Sequence, residues 1–256
     1  MPEPHLLLHV ADHIATLTIN REDRRNAISI ETIELFLQYL DQVEQDAGVR
    51  AVLITGSGSR AFCAGADLGG DADGDVRRGA KIYARLLKRL AGFPKPVVAR
   101  VNGACMAGGM GLMLACDLVI ARNDATFGTP EVNVGLWPMM IGALIFRNTL
   151  RKKAMEMVLL GERLTAAQAL EMGLITRVVQ AGSLDEAVSS VLQRLAQKSP
   201  IGMKIGKEAF HAMADMPFEA ALDFLSEKII EVAATEDARE GITAFIEKRK
   251  PVFKGK

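Results

Sequence analysis

The chain has 256 residues, of which 49% are apolar and 24% are charged, and its 31 basic residues balance its 31 acidic ones. This composition excludes a disordered chain, and the zero net charge gives no sign of nucleic acid or membrane partners. The N-terminal residues have neither the pattern of an export signal nor an apolar run long enough to span a membrane. Three cysteines without metal-ligand spacing predict packing thiols in a cytoplasmic protein with no metal site. Only Cys63, beside a glycine loop, needs a check for reactivity.

The first elements predicted are two strands and a helix. Two alternating runs, 5–10 and 13–20, predict a hairpin that turns at Ala11 and Asp12. After a polar segment, Ser29 is placed to cap a helix. The apolar residues of that helix recur at helical spacing, at Ile30, Ile33, Leu37, Leu40 and Val43.

The same order then recurs twice. Residues 49–55 predict a buried strand, and a short apolar stretch, 62–68, leads into the polar run 69–75. An amphipathic helix is predicted over 76–91, and the prolines that follow it direct the chain into the next strand. Three strand, strand, helix units without linkers predict one continuous α/β core.

The stretch 97–135 holds the strongest site candidates. A strand rich in β-branched residues stops at Asn102, and the glycines at 108 and 109 open a buried helix. The free backbone N–H groups at a helix start attract negative charge, and glycine allows a ligand to approach them closely. A loop farther along this stretch, 126–131, carries Glu131, the only ionisable residue between Asp124 and Arg147. A carboxylate in apolar surroundings is a candidate proton carrier.

The second half of the chain is predicted to be mainly helical. Thr165 with Gln168, and Ser183 with Glu186, have the spacing of capping boxes. A short strand is predicted between them, and three helices follow residue 199. We therefore predict a core over 1–198 and a helical region over 199–256, which must pack against that core or against a neighbouring subunit.

Seven motifs occur in a fixed order along the chain. They are FCAGADL (62–68), VNG (101–103), AGG (107–109), CD (116–117), FGTPE (127–131), GERLT (161–165), and EG (240–241) with FIEKR (245–249). Each is weak alone, but the ordered set resembles the enoyl-CoA hydratase/isomerase (crotonase) family over nearly the full length. The resemblance implies an α/β spiral of ββα units with a C-terminal helical oligomerisation region, which builds homotrimers or homohexamers.

The resemblance also implies a site for acyl-CoA thioesters. Its catalytic groups would be the backbone amides of Ala66 and Gly108, which hold an enolate oxygen, and the Glu131 carboxylate. No cofactor is expected, because coenzyme A is part of the substrate. The residues predicted to bind the CoA ester are Arg24, Arg25, Ala64, Ala66, Asp67, Leu68, Gly108, Gly111, Trp137, Phe245 and Lys248.

One position departs from the family's hydratases, which generally use two glutamates. The position of the first of these glutamates is occupied here by Gly111, which helical spacing places on the same face as Gly108. We therefore expect this glycine either to leave room for substrate or to mark a lost carboxylate. Adding water to a double bond divides naturally between two acid/base groups, whereas moving the double bond needs one. Bulky residues over 136–140 also depart from the pattern, and they put the acyl pocket's shape in doubt.

The sequence therefore predicts an enoyl-CoA isomerase that shifts a 3,4 double bond to 2,3, or an enoyl-CoA hydratase, in fatty-acid or related acyl-CoA metabolism. A hydrolase or lyase on the same scaffold, and a non-catalytic acyl-CoA-binding homologue, stay open. Asp67 and Asp117 are interpreted as structural partners rather than reacting acids. Three aspartates of the polar run are alternative sources of a second carboxylate: Asp71, Asp73 and Asp75.

Overall fold

The computed structural model describes residues 3–67 and 76–256, in which the chain forms ten strands and ten α-helices. The strands are β1 (Leu6–Ala11), β2 (Ile14–Ile19), β3 (Ala51–Gly56), β4 (Ala61–Cys63), β5 (Val97–Val101), β6 (Ala104–Met106), β7 (Leu118–Arg122), β8 (Thr126–Gly128), β9 (Leu164–Thr165) and β10 (Arg177–Val179). The helices are α1 (Ile30–Gln45), α2 (Val76–Ala91), α3 (Gly108–Leu114), α4 (Met139–Asn148), α5 (Arg151–Leu160), α6 (Ala166–Glu171), α7 (Leu184–Ala196), α8 (Pro200–Met213), α9 (Phe218–Ala233) and α10 (Glu236–Ile246).

Two sheets divide the strands of the repeating units between them. The larger sheet has the order β1-β2-β3-β5-β7-β10, and the smaller has the order β4-β6-β8-β9. The first strands of successive units, β3, β5 and β7, are parallel neighbours in the larger sheet, and the second strands, β4, β6 and β8, are parallel neighbours in the smaller. The chain therefore advances one strand in each sheet per unit, which confirms the predicted spiral.

In the first unit, the turn, the helix start and the buried helix face are determined by local residues. The hairpin turns at Asp12 and His13, which both have positive φ, one residue later than predicted. Helix α1 begins where Ser29 accepts a hydrogen bond from the Thr32 backbone N–H at 3.2 Å. The predicted apolar face of α1 is buried from Ile33 to Val43, and Ile30 at its start is half-buried.

Three local predictions are wrong. Residues 104–106, where the sequence predicts no element, form strand β6, and the predicted loop 126–131 contains β8 and the start of a 3₁₀ helix, Pro130–Val134. Ser183 makes no capping hydrogen bond to α7, because it ends a 3₁₀ turn with a ψ of 2° and lacks the extended backbone that directs a cap hydroxyl at the helix. Thr165, which has that backbone, forms the predicted capping box with Gln168.

The C-terminal helices α8, α9 and α10 pack against one another and against the core. Lys207 of α8 donates to the Lys95 carbonyl at 2.9 Å and pairs with the Asp117 carboxylate. Arg50, before β3, donates to the carbonyls of Ala196 and Phe253, both at 2.9 Å. In the described ranges no helix is both long and apolar enough to cross a membrane. The boundary at residue 198 between the core and the C-terminal helical region stays a prediction.

Candidate active site

Three neighbouring strands of the smaller sheet carry the candidate site. Strands β4, β6 and β8 run parallel, so their carboxyl ends lie at one edge, the edge at which α/β sheets bind ligands. Residues 64–66 follow β4, residues 107–108 follow β6, and residues 129–131 follow β8. The topology therefore brings Ala66, Gly108 and Glu131 together from three consecutive units.

The Ala66 amide is oriented by a backbone bridge to Ile28. Ile28 donates its N–H to the Gly65 carbonyl at 2.8 Å, and its own carbonyl accepts the N–H of Asp67 at 3.0 Å. The Ala66 N–H between these two bonds is directed away from the bridge. Gly65 has a φ of +105°, and a Cβ there would lie 2.8 Å from the Ala107 Cβ, so only glycine allows these two loops to approach.

Gly108 faces the Ala66 amide. A Cβ on Gly108 would lie 3.6 Å from the Ala66 nitrogen, so the side of Gly108 that lacks a side chain borders that N–H. Within 3–67 and 76–256, neither the Ala66 nor the Gly108 N–H donates a hydrogen bond. Ala107, which precedes this glycine, has a φ of +50°, a conformation that costs alanine about 1–3 kcal/mol. Two free donors beside one open space can hold one oxygen that gains negative charge.

Glu131 supplies the ionisable group. One carboxylate oxygen, Oε2, is buried and has no hydrogen-bond partner among the described residues. Burial raises the pKa of Glu131 above its usual value, and a hydrogen bond to its own backbone opposes this shift in part. A poorly solvated carboxylate with a raised pKa is suited to accept a proton and return it. The geometry therefore places a candidate base near two amide donors.

These groups line a cavity of about 520 Å³. Its wall is mainly apolar and comes from the start of α1, one face of α2 and residues 136–141. The described wall contains two carboxylates and no basic residue. One carboxylate is Glu131, and the other is Asp67, which Arg21 holds in an ion pair at 2.6 Å, so of these two described carboxylates Glu131 is the one available for proton transfer.

Comparison with known proteins identifies the family. A sequence profile described as Enoyl-CoA hydratase/isomerase matches residues 9–256. The chain belongs to the enoyl-CoA hydratase/isomerase family. It is therefore an enzyme of a family whose members are lyases or isomerases.

Two curated relatives of this family and one solved structure are similar over nearly their whole length. The short-chain-enoyl-CoA hydratase of Clostridium acetobutylicum is 32% identical over 250 residues, covering 96% of each chain. The 1,2-epoxyphenylacetyl-CoA isomerase of Escherichia coli is 36% identical over 260 residues, covering 98% of each. The crystal structure of an enoyl-CoA hydratase from Bacillus anthracis superposes with a TM-score of 0.95 at 32% identity, covering 98% of this chain and 100% of that one.

The structure brings some of the residues predicted for this family to the cavity wall and leaves others away from it. Those on the wall are Ala66, Asp67, Gly108, Glu131 and Trp137. Those off the wall are Arg24, Arg25, Ala64, Gly111, Phe245 and Lys248. Leu68 and the three aspartates at 71, 73 and 75 lie outside the described residues. Bulky residues at 136, 137, 139 and 140 all line the cavity, where the sequence predicted an altered acyl pocket.

Gly111 does not leave room for substrate, so the first of its two predicted explanations is wrong, whereas the second, a lost carboxylate, stays a prediction. A Cβ at this position would lie 2.3 Å from the Tyr83 hydroxyl oxygen and 2.5 Å from Cγ2 of Ile141. The space beside the glycine is thus filled by protein, and a glutamate introduced there would displace both neighbours. Sequence reasoning missed Tyr83, because one aromatic residue on the apolar face of a basic helix is an ordinary core pattern.

The remaining candidates have structural roles. Cys63 is fully buried, and burial raises the pKa of its thiol to about 12, so the thiol is protonated at neutral pH and is not a nucleophile. Asp117 accepts the Val97 backbone N–H at 2.7 Å, and the Asp67 carboxylate is held by Arg21, which confirms their interpretation as structural partners. In the described part of the chain no cluster of side chains could hold a metal ion.

Proposed function

We propose that this protein is an enoyl-CoA isomerase that moves a 3,4 double bond to the 2,3 position. The observation that carries the proposal is the buried oxygen of Glu131, which has no partner among the described residues, together with a second wall carboxylate that is already ion-paired. One group that carries a proton is enough for this reaction, because the proton leaves one carbon and returns to another.

In this mechanism the thioester oxygen lies between the N–H groups of Ala66 and Gly108. The Glu131 carboxylate removes a proton from C2, and the electron pair spreads over the double bond and the thioester to give a dienolate. The neutral Glu131 then gives the proton to C4, which restores the carboxylate. One preorganised amide donor is typically worth about 3 kcal/mol of barrier. No electrons are gained or lost, so the proposed reaction needs no cofactor besides the coenzyme A of the substrate.

Hydration is the second candidate function, because several of the similar proteins are named hydratases, such as the one from Clostridium acetobutylicum. Among the residues of the described cavity wall, Glu131 would then have to orient and activate the water without help from a second carboxylate outside an ion pair. A hydrolase or lyase reaction would use the same two amides. A non-catalytic acyl-CoA-binding protein is disfavoured, because binding alone gains nothing from a desolvated carboxylate.

The proposed acyl group is uncharged. The described cavity wall offers no cation, and residues 68–75 contain three aspartates and no Lys or Arg by sequence. An acyl chain that ends in a carboxylate would lose its hydration here without gaining an ion pair. The cavity therefore favours aliphatic or aromatic acyl chains.

The decisive experiment offers 3-hexenoyl-CoA and crotonyl-CoA separately to the purified protein and follows both products by chromatography. We expect kcat/KM for isomerisation to exceed that for hydration by at least about tenfold, since the described cavity wall offers one acid/base group outside an ion pair. Faster hydration of crotonyl-CoA would replace the isomerase proposal with the hydratase. Binding of both esters without turnover of either would favour another reaction or a binding protein.

We also propose that the protein is a homotrimer or a dimer of trimers, in a cytoplasmic location as its sequence predicts. On α9 and α10, Ile229 and Ile230 are each 63% exposed, and Phe245 is 85% exposed, whereas Phe224 and Leu225 are half-buried. Apolar exposure of this kind marks an interface. Assembly would also give Phe245 and Lys248 a route to coenzyme A bound on a neighbour, and Arg24 and Arg25 are exposed for the same ligand. Sedimentation should show no 27.7 kDa monomer at micromolar concentration, and a monomer would contradict the assembly.

A further inference from the structure

Tyr83 is a buried polar residue of the cavity that the proposed reaction does not use. It lies on α2, is 6% exposed and forms part of the wall. Its hydroxyl donates a hydrogen bond to the carbonyl of Gly108, the residue whose N–H is a candidate oxyanion donor. The phenol therefore contacts the candidate site through the protein backbone.

The hydroxyl fits between two glycines of α3. A Cβ on Gly108 would lie 3.5 Å from the Tyr83 oxygen, and a Cβ on Gly111 would lie 2.3 Å from it. The two glycines are three residues apart, so they share one face of the helix. Glycine at 111 is what allows the hydroxyl to reach the Gly108 carbonyl, which explains why this position carries no side chain.

The start of α3 lacks a side-chain cap, although the Ala107 N–H donates to the Gly128 carbonyl at 2.9 Å. The helix has seven residues, its N-cap Ala107 offers no capping side chain, and the backbone at Ala107 is strained with a φ of +50°. Strained backbone persists only where its surroundings fix it. Among the described residues, Tyr83 provides the side-chain hydrogen bond to the first residue of this helix.

We propose that Tyr83 is a positioning residue of the oxyanion site, whose hydroxyl fixes Gly108 so that its N–H faces the same oxygen as the Ala66 N–H. This inference rests on the proposed function only in assigning the two amides to the enolate oxygen, and it holds for isomerisation and hydration alike. Burial raises the pKa of Tyr83 well above its usual value, with smaller contributions from Cys63, Cys105 and Glu131, so the hydroxyl keeps its proton. It therefore acts as a donor to the carbonyl and not as a base.

The test compares Tyr83→Phe with Tyr39→Phe, which removes the hydroxyl of the only other tyrosine, a half-buried residue of α1 outside the cavity wall. The probe is acetoacetyl-CoA, whose enolate absorbs in the near ultraviolet, titrated with pH while bound to each protein. We expect Tyr83→Phe to raise the midpoint of enolate formation by about one pH unit, a tenfold loss of enolate stabilisation. Affinity for butyryl-CoA and the melting temperature should stay close to wild type, and Tyr39→Phe should leave all three measurements unchanged.

Steady-state kinetics give a second readout. A positioning role predicts a kcat about tenfold lower in Tyr83→Phe with KM within about twofold, because the lost restraint matters most where negative charge develops. An unchanged enolate midpoint in a folded Tyr83→Phe protein would overturn the inference, as would equal losses for butyryl-CoA and enolate binding. If the wild type itself fails to favour the enolate of bound acetoacetyl-CoA, the assignment of the two amides is wrong, and the inference falls with it.

Discussion

Replacing Glu131 by glutamine is expected to lower kcat for the acyl-CoA reaction by at least about 100-fold, the low end for loss of a general base. Glutamine keeps the shape and the polarity of the side chain but cannot take a proton. No other ionisable residue lies between Asp124 and Arg147, and Asp67, the other carboxylate of the described cavity wall, is ion-paired, so the described wall offers no replacement base. The measurement is kcat with 3-hexenoyl-CoA and, separately, with crotonyl-CoA. Affinity for butyryl-CoA should be nearly unchanged, and activity within a few-fold of wild type would refute the assignment.

The direction of the Glu131 pKa shift predicts how wild-type activity, and the stability difference between wild type and Glu131→Gln, depend on pH. Wild-type kcat/KM should rise with pH through a midpoint above the usual glutamate pKa, because only the carboxylate accepts a proton. In this pH window the folded state binds more protons than the unfolded state, so stability falls as pH rises. Glu131→Gln does not bury a charged carboxylate and so does not lose stability in this way, and we expect it to be at least as stable as wild type at neutral pH. The difference should vanish below the usual glutamate pKa, and a less stable variant at neutral pH would contradict a desolvated carboxylate.

Gly108→Ala should fold normally and lose at least about 100-fold in kcat/KM, a loss similar to that of removing one oxyanion donor. Its Cβ would meet Ile28 Cδ1 and the Tyr83 oxygen at 3.5 Å and the Ala66 nitrogen at 3.6 Å, which are ordinary contact distances. The methyl group would therefore not strain the protein. It would occupy the space beside the two amide groups, where the thioester oxygen is expected. Measuring activity and melting temperature on the same preparation distinguishes a blocked oxygen site from a destabilised fold.

Two other glycines serve as controls for that substitution. Gly142 in α4 has no neighbour within 4 Å of an added Cβ, so Gly142→Ala should leave both activity and stability close to wild type. Gly109→Ala should lower the melting temperature, because its Cβ would lie 2.3 Å from the Cys63 carbonyl oxygen. If Gly108→Ala is as active as Gly142→Ala, the space beside Gly108 does not hold the reacting oxygen.

The sequence predicts the long elements well because their patterns are redundant. The apolar spacing of α1 and α2 spans several turns, and the buried strands of the larger sheet are long enough to show a β-branched run. Strands β4, β6 and β8 have only three residues each, which is too short to show a period, so two of them were missed although they build the site. Sequence patterns also point to Glu131 as a candidate acid/base group, because it is an isolated acid in an apolar segment, and its role stays a prediction.

Other features of the site depend on contacts between distant segments, which no local pattern encodes. The space beside Gly111 is filled by Tyr83 and Ile141, which come from α2 and α4, and a helical wheel of α3 cannot show that. The ion pair between Arg21 and Asp67, which removes one carboxylate from the chemistry, joins residues 46 positions apart. The predicted coenzyme A contacts at Phe245 and Lys248 lie away from the described cavity wall and depend on the proposed assembly.

The arrangement of β4, β6 and β8 separates two tasks along the gene. The amide of Ala66 follows β4, the amide of Gly108 follows β6, and the proposed proton carrier follows β8, so enolate stabilisation and proton transfer belong to different repeats of the spiral. Backbone donors tolerate changes of side chain, provided that the loop keeps its path. Mutation after β8 can therefore exchange or move the acid while enolate stabilisation is inherited intact, and a change of reaction does not require a new catalyst to be built from nothing.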